Sequence, residues 1–452
     1  MLRSLIALLT ACLVLTAPAA AQGQVLHVQL NVRNPFSSWL VLEVAQGGAH
    51  VPVDSVRPDA QGACVFRGSQ GFPAGFYQLA LHDTDRVDII LGPREPEVRL
   101  RFDGTPLQRH IQVLLSPENK LLWRYKAYSR EHGATMEAVA RERSALDPTA
   151  YRRLAQLDSI EQAAAALKQQ RLNALIAEAP DSYFARVVRV NGALEAEARN
   201  GPYAVAKVFD FADPDLLRSS IYDKAVVTYL QSINVVSESQ LTNASDTLIA
   251  LASGNATCKA YMIEHLVDLF STYGPQGTLQ HIVDAYLAGP APTIPLTPRL
   301  KAKVGALLSV SIGAIGPDVE LADTLGGRTP LSHVLNGRRY GVLFFYSSTC
   351  DHCHLQMPGM ARVHELYGPK GVQVMGVALD DDRKDFRFNL EIREIKYPCY
   401  SEFNGWGSSV AKAYEVKATP TIVLIDADRR IVAKPYDVTE LEAELVRLLG
   451  QP

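Results

Sequence analysis

One run constrains this chain more than any other: Gly341-Val-Leu-Phe-Phe-Tyr-Ser-Ser-Thr-Cys350-Asp-His-Cys353-His354. It opens as an apolar stretch without alternation, the pattern of a strand buried on both faces. Small polar residues interrupt it, and two cysteines follow at once. Beyond Cys353, the residues Leu355, Met357, Met360, Val363 and Leu366 recur at roughly a helical period, so a helix is predicted from the dithiol onward. Strand, Cys-x-x-Cys, helix puts Cys350 at a helix N-terminus, where orphan N–H groups and the dipole favour a thiolate. Cys353 lies one turn further on and can close a Cys350–Cys353 disulfide.

Three chemistries compete for this pair. A redox dithiol needs an accessible thiolate and a shielded partner, which a helix start supplies. An inert structural disulfide is a poor match to so short and accessible a loop. A metal site would use Cys350, Cys353 and His352 or His354, but structural zinc takes about four ligands and no second Cys or His pair stands at the usual spacing. Thiolate and imidazole would still suit a copper carrier. Peroxidase chemistry needs Pro at position 343 and Thr at 347, where Leu343 and Ser347 stand.

Further motifs surround the dithiol: Gly316-Pro317-Asp318 with Gly326-Gly327, Gly371-Val-Gln-Val-Met-Gly-Val-Ala-Leu-Asp380, and Ala418-Thr419-Pro420-Thr421-Ile-Val-Leu-Ile-Asp426. In this order they resemble the thioredoxin superfamily, and within it the TlpA/ResA-like, AhpC/TSA-type thiol–disulfide oxidoreductases. The resemblance covers the last third of the chain. It implies an entry hairpin, an α/β core with an extra strand–helix insertion before Pro420, and a cis peptide at Thr419–Pro420 facing the dithiol. The Thr419 backbone would then pair with an extended substrate. Cys350 is expected to be the nucleophile and Cys353 the resolving thiol. His352 between them stabilises the thiolate when protonated, and Asp351 opposes it. A stabilised thiolate makes an oxidant, whereas the TlpA-like resemblance implies a reductase, so the direction of electron flow stays open. The chain departs from the family at Thr349, where Trp is usual. Phe344 replaces the buried acid of thioredoxins, and Gln356 replaces a frequent Glu. Pro358 keeps its place.

The chain has 452 residues and a net charge of −3, with mixed signs that point to no nucleic-acid partner. Its start reads as a cleavable signal peptide over residues 1–21: Arg3, an apolar run from Leu5 to Leu15, and Pro18-Ala19-Ala20-Ala21 before Gln22. A lipoprotein signal at Cys12 is the less favoured alternative. Export to a periplasm or cell envelope is then expected, with protein thiols or disulfides as substrates and a membrane electron donor or acceptor as a partner. Electrons ride on the dithiol, so no cofactor is required. Cys64, Cys258 and Cys399 remain, too few and scattered for a disulfide scaffold. Cys64 and Cys258 read as core thiols, and Cys399 as a strand cysteine rather than a third redox thiol.

The expected architecture is multidomain: a β-sandwich over 22–105, an all-α domain over 106–310 and a thioredoxin-like α/β domain over 311–452. Short alternating runs such as Val25–Val32 and Phe76–His82 predict the sandwich, with Asp59-Ala-Gln-Gly62 as a hairpin turn. Ser116-Pro117, Asp147-Pro148 and Asp213-Pro214 read as helix starts. The first two domains carry no chemistry of their own. A binding or assembly module built on a thioredoxin scaffold is the competing class of function.

Overall fold

The computed structural model describes residues 24–33, 38–68, 71–81, 84–233, 237–273, 275–288, 293–323 and 326–451. The segment predicted as a signal peptide, Cys12 and the predicted break at Gly289–Pro292 lie outside them. The chain forms two compact units that divide at residues 234 and 235.

Among the described residues the first unit begins with eight strands: β1 (Val25–Leu30), β2 (Leu40–Gln46), β3 (Ala49–Val56), β4 (Ala63–Arg67), β5 (Gly75–Ala80), β6 (Arg86–Leu91), β7 (Glu97–Phe102) and β8 (Ile111–Leu115). They form two four-stranded sheets, ordered β4-β1-β7-β8 and β3-β2-β5-β6. Alternation does the work that the sequence implies: Leu26, Val28 and Leu30 of β1 face one way and are buried with Leu42, Leu79 and Ile89 of the other sheet. The Asp59–Gly62 turn forms, with Asp59 Oδ1 accepting from Gln61 N at 2.9 Å and Ala63 N at 2.8 Å. It is not a hairpin, however. It links β3 to β4, which lie in different sheets, and β4 pairs instead with β1. Turn chemistry dictates a local reversal, and the burial pattern chooses the partner strand.

Helices α1 (Pro117–Ala145), α2 (Tyr151–Glu178), α3 (Tyr183–Glu197), α4 (Pro202–Val208), α5 (Pro214–Leu217) and α6 (Ile221–Gln231) come next. Ser116 caps α1 by accepting from Asn119 N, with Pro117 in the first turn. Asp147 does not cap α2: its carboxylate closes a turn on Thr149, and the helix starts at Tyr151. Polar side chains join helix to sheet. Asn119 makes both bonds that a neighbouring strand would make to Ile90, accepting from its N–H at 2.9 Å and donating to its carbonyl at 2.7 Å. Buried Glu118 accepts from Tyr183 N and Phe184 N, satisfying two orphan donors of α3.

The second unit contains α7 (Glu238–Ala252), α8 (Ala256–Tyr273), α9 (Gln276–Tyr286) and α10 (Pro298–Ser309), then a thioredoxin-like domain. Its entry hairpin is β9 (Glu320–Ala322) with β10 (Arg328–Pro330), followed by the single turn α11 (Leu331–Val334). Its main sheet, ordered β13-β12-β11-β14-β15, is built from β11 (Tyr340–Tyr346), β12 (Val372–Ala378), β13 (Cys399–Tyr400), β14 (Thr421–Asp426) and β15 (Ile431–Ala433). Pairing is parallel across β11, β12 and β13 and antiparallel to β14 and on to β15. Helix α12 (Asp351–Tyr367) follows β11, and α13 (Arg383–Ile392) with β13 forms the strand–helix insertion ahead of Pro420. Helices α14 (Ser409–Ala413) and α15 (Val438–Leu449) complete the domain. Val342, Phe344 and Tyr346 of β11 enter one core, and Leu343 and Phe345 enter the other. That double burial is why the run shows no alternation.

Lys434, just past β15, lines a cavity of about 20 Å³ with Leu279, Val283, Leu307, Leu308 and Ile312. Burial pushes its pKa from 10.5 down to about 8, against the attraction of Glu415. A lysine with a lowered folded-state pKa binds fewer protons folded than unfolded, so it costs stability at neutral pH, and the cost fades as pH rises through 8. Lys434→Met is expected to raise the melting temperature at pH 7 by roughly 2–6 °C. The gap to wild type should narrow between pH 8 and pH 10, as read by paired thermal melts.

Candidate functional site

Strand β11 ends at Tyr346, and a three-residue loop, Ser347–Thr349, leads to Cys350. Cys350 is the N-cap of α12: its backbone is extended and its Sγ accepts from Cys353 N at 3.2 Å. The two sulfurs are joined as a disulfide, with Cα atoms 5.3 Å apart. Cys353 is fully buried, whereas Cys350 is half-buried. One sulfur is thus open to a partner and the other is shielded. Burial also corrects the reading of the helix. Met357, Met360 and Val363 face the core with Tyr367, but Leu355 and Leu366 are 75% and 43% exposed.

The loop before the dithiol is held from the neighbouring strand. Asp380, just past β12, is buried and accepts from Ser348 N at 2.7 Å, Ser348 Oγ at 2.6 Å and Ser347 Oγ at 3.1 Å. On the other side, Ser348 O accepts from His354 Nε2 at 2.9 Å. The amide of Asn389, on α13, lies 3.2 Å from the same nitrogen. The residues just before β14 supply Thr419, whose carbonyl oxygen is 3.6 Å from Cys350 Sγ, and the Thr419–Pro420 peptide is cis. Asp351 and His352 are both exposed.

In the sequence Asp380 stands in a motif that marks no role for it, and His354 offers itself only as a metal ligand. No local pattern marks Ser348 or Asn389. A buried acid so far along the chain from the loop it holds leaves no periodic signal. Gln356 has a structural use here, accepting from Val438 N at 2.9 Å at the start of α15. Phe344, in the place of the thioredoxin acid, stacks on Tyr346 with ring centroids 5.4 Å apart. Among the described residues no group of three or more His, Cys, Asp or Glu side chains is arranged to hold a metal ion. Among them, too, no helix is long and apolar enough to cross a membrane.

Among the described residues, Cys64 and Cys258 are buried, and Cys399 is partly buried against the core. Burial pushes the Cys64 thiol up to about 12, and Cys258 is fully buried. Cys399, in β13, packs against Gly376, where an added Cβ would stand 2.6 Å from its sulfur. Burial raises that thiol to about 12 as well.

Residues 312–434, from the entry hairpin through β15, match the AhpC/TSA family. The chain is 30% identical over 128 residues to thiol–disulfide oxidoreductase ResA of a Bacillus cereus strain, covering 28% of this chain and 69% of that one. To ResA of Bacillus subtilis (strain 168) it is 28% identical over 125 residues, covering 27% of this chain and 66% of that one. The chain therefore spans about two thirds of the length of these relatives. Among solved structures, a thioredoxin-like protein from Bacteroides caccae aligns with a TM-score of 0.39 and 20% identity, over 54% of this chain and 92% of that one. A thiol–disulfide oxidoreductase from Bacteroides fragilis aligns with a TM-score of 0.28 and 26% identity, over 30% and 98%.

A thiol with a pKa near 12 is thiolate in only about one molecule in ten thousand at pH 8. After reduction, iodoacetamide at pH 8 is expected to label Cys350 at least about tenfold faster than Cys399 or Cys64 in the native protein. Peptide mass spectrometry over a time course reads the order. Equal rates at Cys350 and Cys399 would contradict the assignment of Cys399 as a core thiol.

Proposed function

We propose, from the premise that this chain belongs to the ResA-like thiol–disulfide oxidoreductases of the AhpC/TSA family, that it exchanges disulfides with cell-envelope proteins through Cys350 and Cys353. The observation that carries this reading is the asymmetry of the pair: Cys350 is a half-buried helix N-cap beside the Thr419 carbonyl, and Cys353 is fully buried.

In the reducing direction, the Cys350 thiolate attacks a substrate disulfide. A mixed disulfide forms, and one substrate sulfur leaves as a thiolate. Cys353, deprotonated in its turn, attacks Cys350 Sγ; the second substrate sulfur leaves, and the Cys350–Cys353 disulfide closes. Two electrons pass from the pair to the substrate. The oxidising direction runs the same steps backwards. The helix N-terminus and the Cys353 N–H stabilise the Cys350 thiolate. His352 adds favourable charge when protonated and Asp351 opposes it, both damped by solvent because both are exposed. Thr419 and Pro420 form the ledge beside the reacting sulfur, where an extended substrate segment would pair with the Thr419 backbone.

Export rests on the signal-peptide pattern of residues 1–21. In an oxidising compartment, a membrane partner would supply or remove the electrons of the dithiol. The β-sandwich and the helices would serve as docking or spacing modules.

Thiol trapping across a glutathione redox series measures the reduction potential of the pair. A value near about −270 mV marks a reductase, and one near about −120 mV an oxidant. Cys350→Ser is expected to abolish disulfide exchange with insulin or an aromatic disulfide. Exchange that persists in Cys350→Ser, or the absence of any reversible couple in the wild type, would sink the reading in favour of a scaffold or metal carrier.

A further inference from the structure

We propose that His354 is a positioning residue for the exchange reaction: it ties down the Ser347–Thr349 loop that presents Cys350. The proposal rests on the reading of Cys350 as the attacking sulfur.

The chemistry of the contacts fixes how the imidazole is used. Ser348 O can only accept, so His354 Nε2, 2.9 Å away, carries a hydrogen and donates it. An Nε2 that donates cannot also accept from the Asn389 amide at 3.2 Å. The Asn389 side-chain oxygen is itself buried without a partner. Turning the amide over resolves both: the oxygen then faces the Nε2–H, and Asn389 becomes a second acceptor for the same donor. The other ring nitrogen, Nδ1, lies 4.0 Å from Asp351 Oδ1, the charged group facing it on its own helix. From the residues just past β12, Asp380 faces the network through Ser348. From α13, the neutral Asn389 faces it.

Ser348 is therefore gripped from both sides. Asp380 takes its N–H and O–H, and His354 takes its carbonyl. The next turn of chain depends on that grip: Cys350 N donates to Ser347 O at 3.1 Å, and Cys350 Sγ accepts from Cys353 N at 3.2 Å. His354 sits one residue beyond Cys353, so its bond back to Ser348 closes a ring of chain around the dithiol. If that ring opens, the loop moves, and the Cys353 N–H no longer meets the Cys350 sulfur. A shift of about 1 Å at a reacting group costs up to about a hundredfold in rate. The thiolate would be less stabilised, the reduced form less stable, and the pair more reducing.

Two polar substitutions separate this role from a loss of folding. Gln extends far enough to place an amide N–H where Nε2 stands, and Asn does not. After reduction of the disulfide, His354→Asn is expected to lower the rate of Cys350 alkylation by iodoacetamide at pH 7 by about tenfold. Its pH profile should move upward, and the equilibrium constant against glutathione should shift about tenfold toward the disulfide, which is about 30 mV more negative. His354→Gln should restore both to near wild type. The full-length chain is used throughout, with circular dichroism to check that each variant is folded. If Asn and Gln variants match wild type in alkylation profile and potential, the proposal is overturned even where a melting temperature drops. If wild type itself exchanges no disulfide and equals Cys350→Ser, the underlying reading falls, and this role with it.

Discussion

The burial of β11 on both faces sets the rest of the second unit. Every residue from Gly341 to Tyr346 is withdrawn from water, with parallel β12 on one side and antiparallel β14 on the other. A strand so enclosed can shed its backbone bonds only at its end, and there the chain must turn outward. Register then decides what meets at that edge. Tyr346 lies opposite Ala378, so the residues just past β12 arrive beside the loop that leaves β11, and Asp380 is among them. Phe345 lies opposite Thr421, so the residues just before β14, Thr419 and Pro420, arrive on the other flank. Three distant stretches of sequence are brought to one sulfur by pairing alone.

How much of this the sequence revealed depends on how local each signal is. The unalternating run, the dithiol and the helix that begins with it are consecutive, and each was legible. The sandwich was legible through period-two alternation, as in Leu26, Val28 and Leu30. Errors arose where a local motif has two outcomes. Asp59–Gly62 has the residues of a hairpin turn, but nothing local says whether the strands it joins will pair. Asp147-Pro148 has the residues of a helix start, yet Asp147 spends its carboxylate on a turn. Leu355 and Leu366 fit a helical period but fall on the side that faces water. The Asp380–Ser348–His354–Asn389 network was illegible for a different reason: its members are scattered over separate elements and loops, and each alone has an ordinary surface explanation.

The two units handle buried polar groups by the same logic. In the first, Asn119 replaces a missing strand at Ile90, and Glu118 replaces the missing turn ahead of α3. Each is buried because it satisfies backbone groups that would otherwise be stranded. In the second, Asp380 and His354 satisfy the backbone of Ser348 in the same way. The difference lies in the residues that come next along the chain. Past Asn119 the chain continues as a helix packed for its own sake, whereas past Ser348 it reaches a reactive sulfur.

That difference bears on what can tune the dithiol. Asp351 and His352 stand nearest in sequence, and both are in solvent, where the field of a charged side chain is screened. The polar groups beside Cys350 Sγ are instead backbone: the Cys353 N–H and the Thr419 carbonyl. Backbone dipoles act through position, and position here is held by Asp380 and His354. The chemistry of the pair is therefore tied to the bonds that fix the three residues before the Cys-x-x-Cys sequence as well as to the residues inside it.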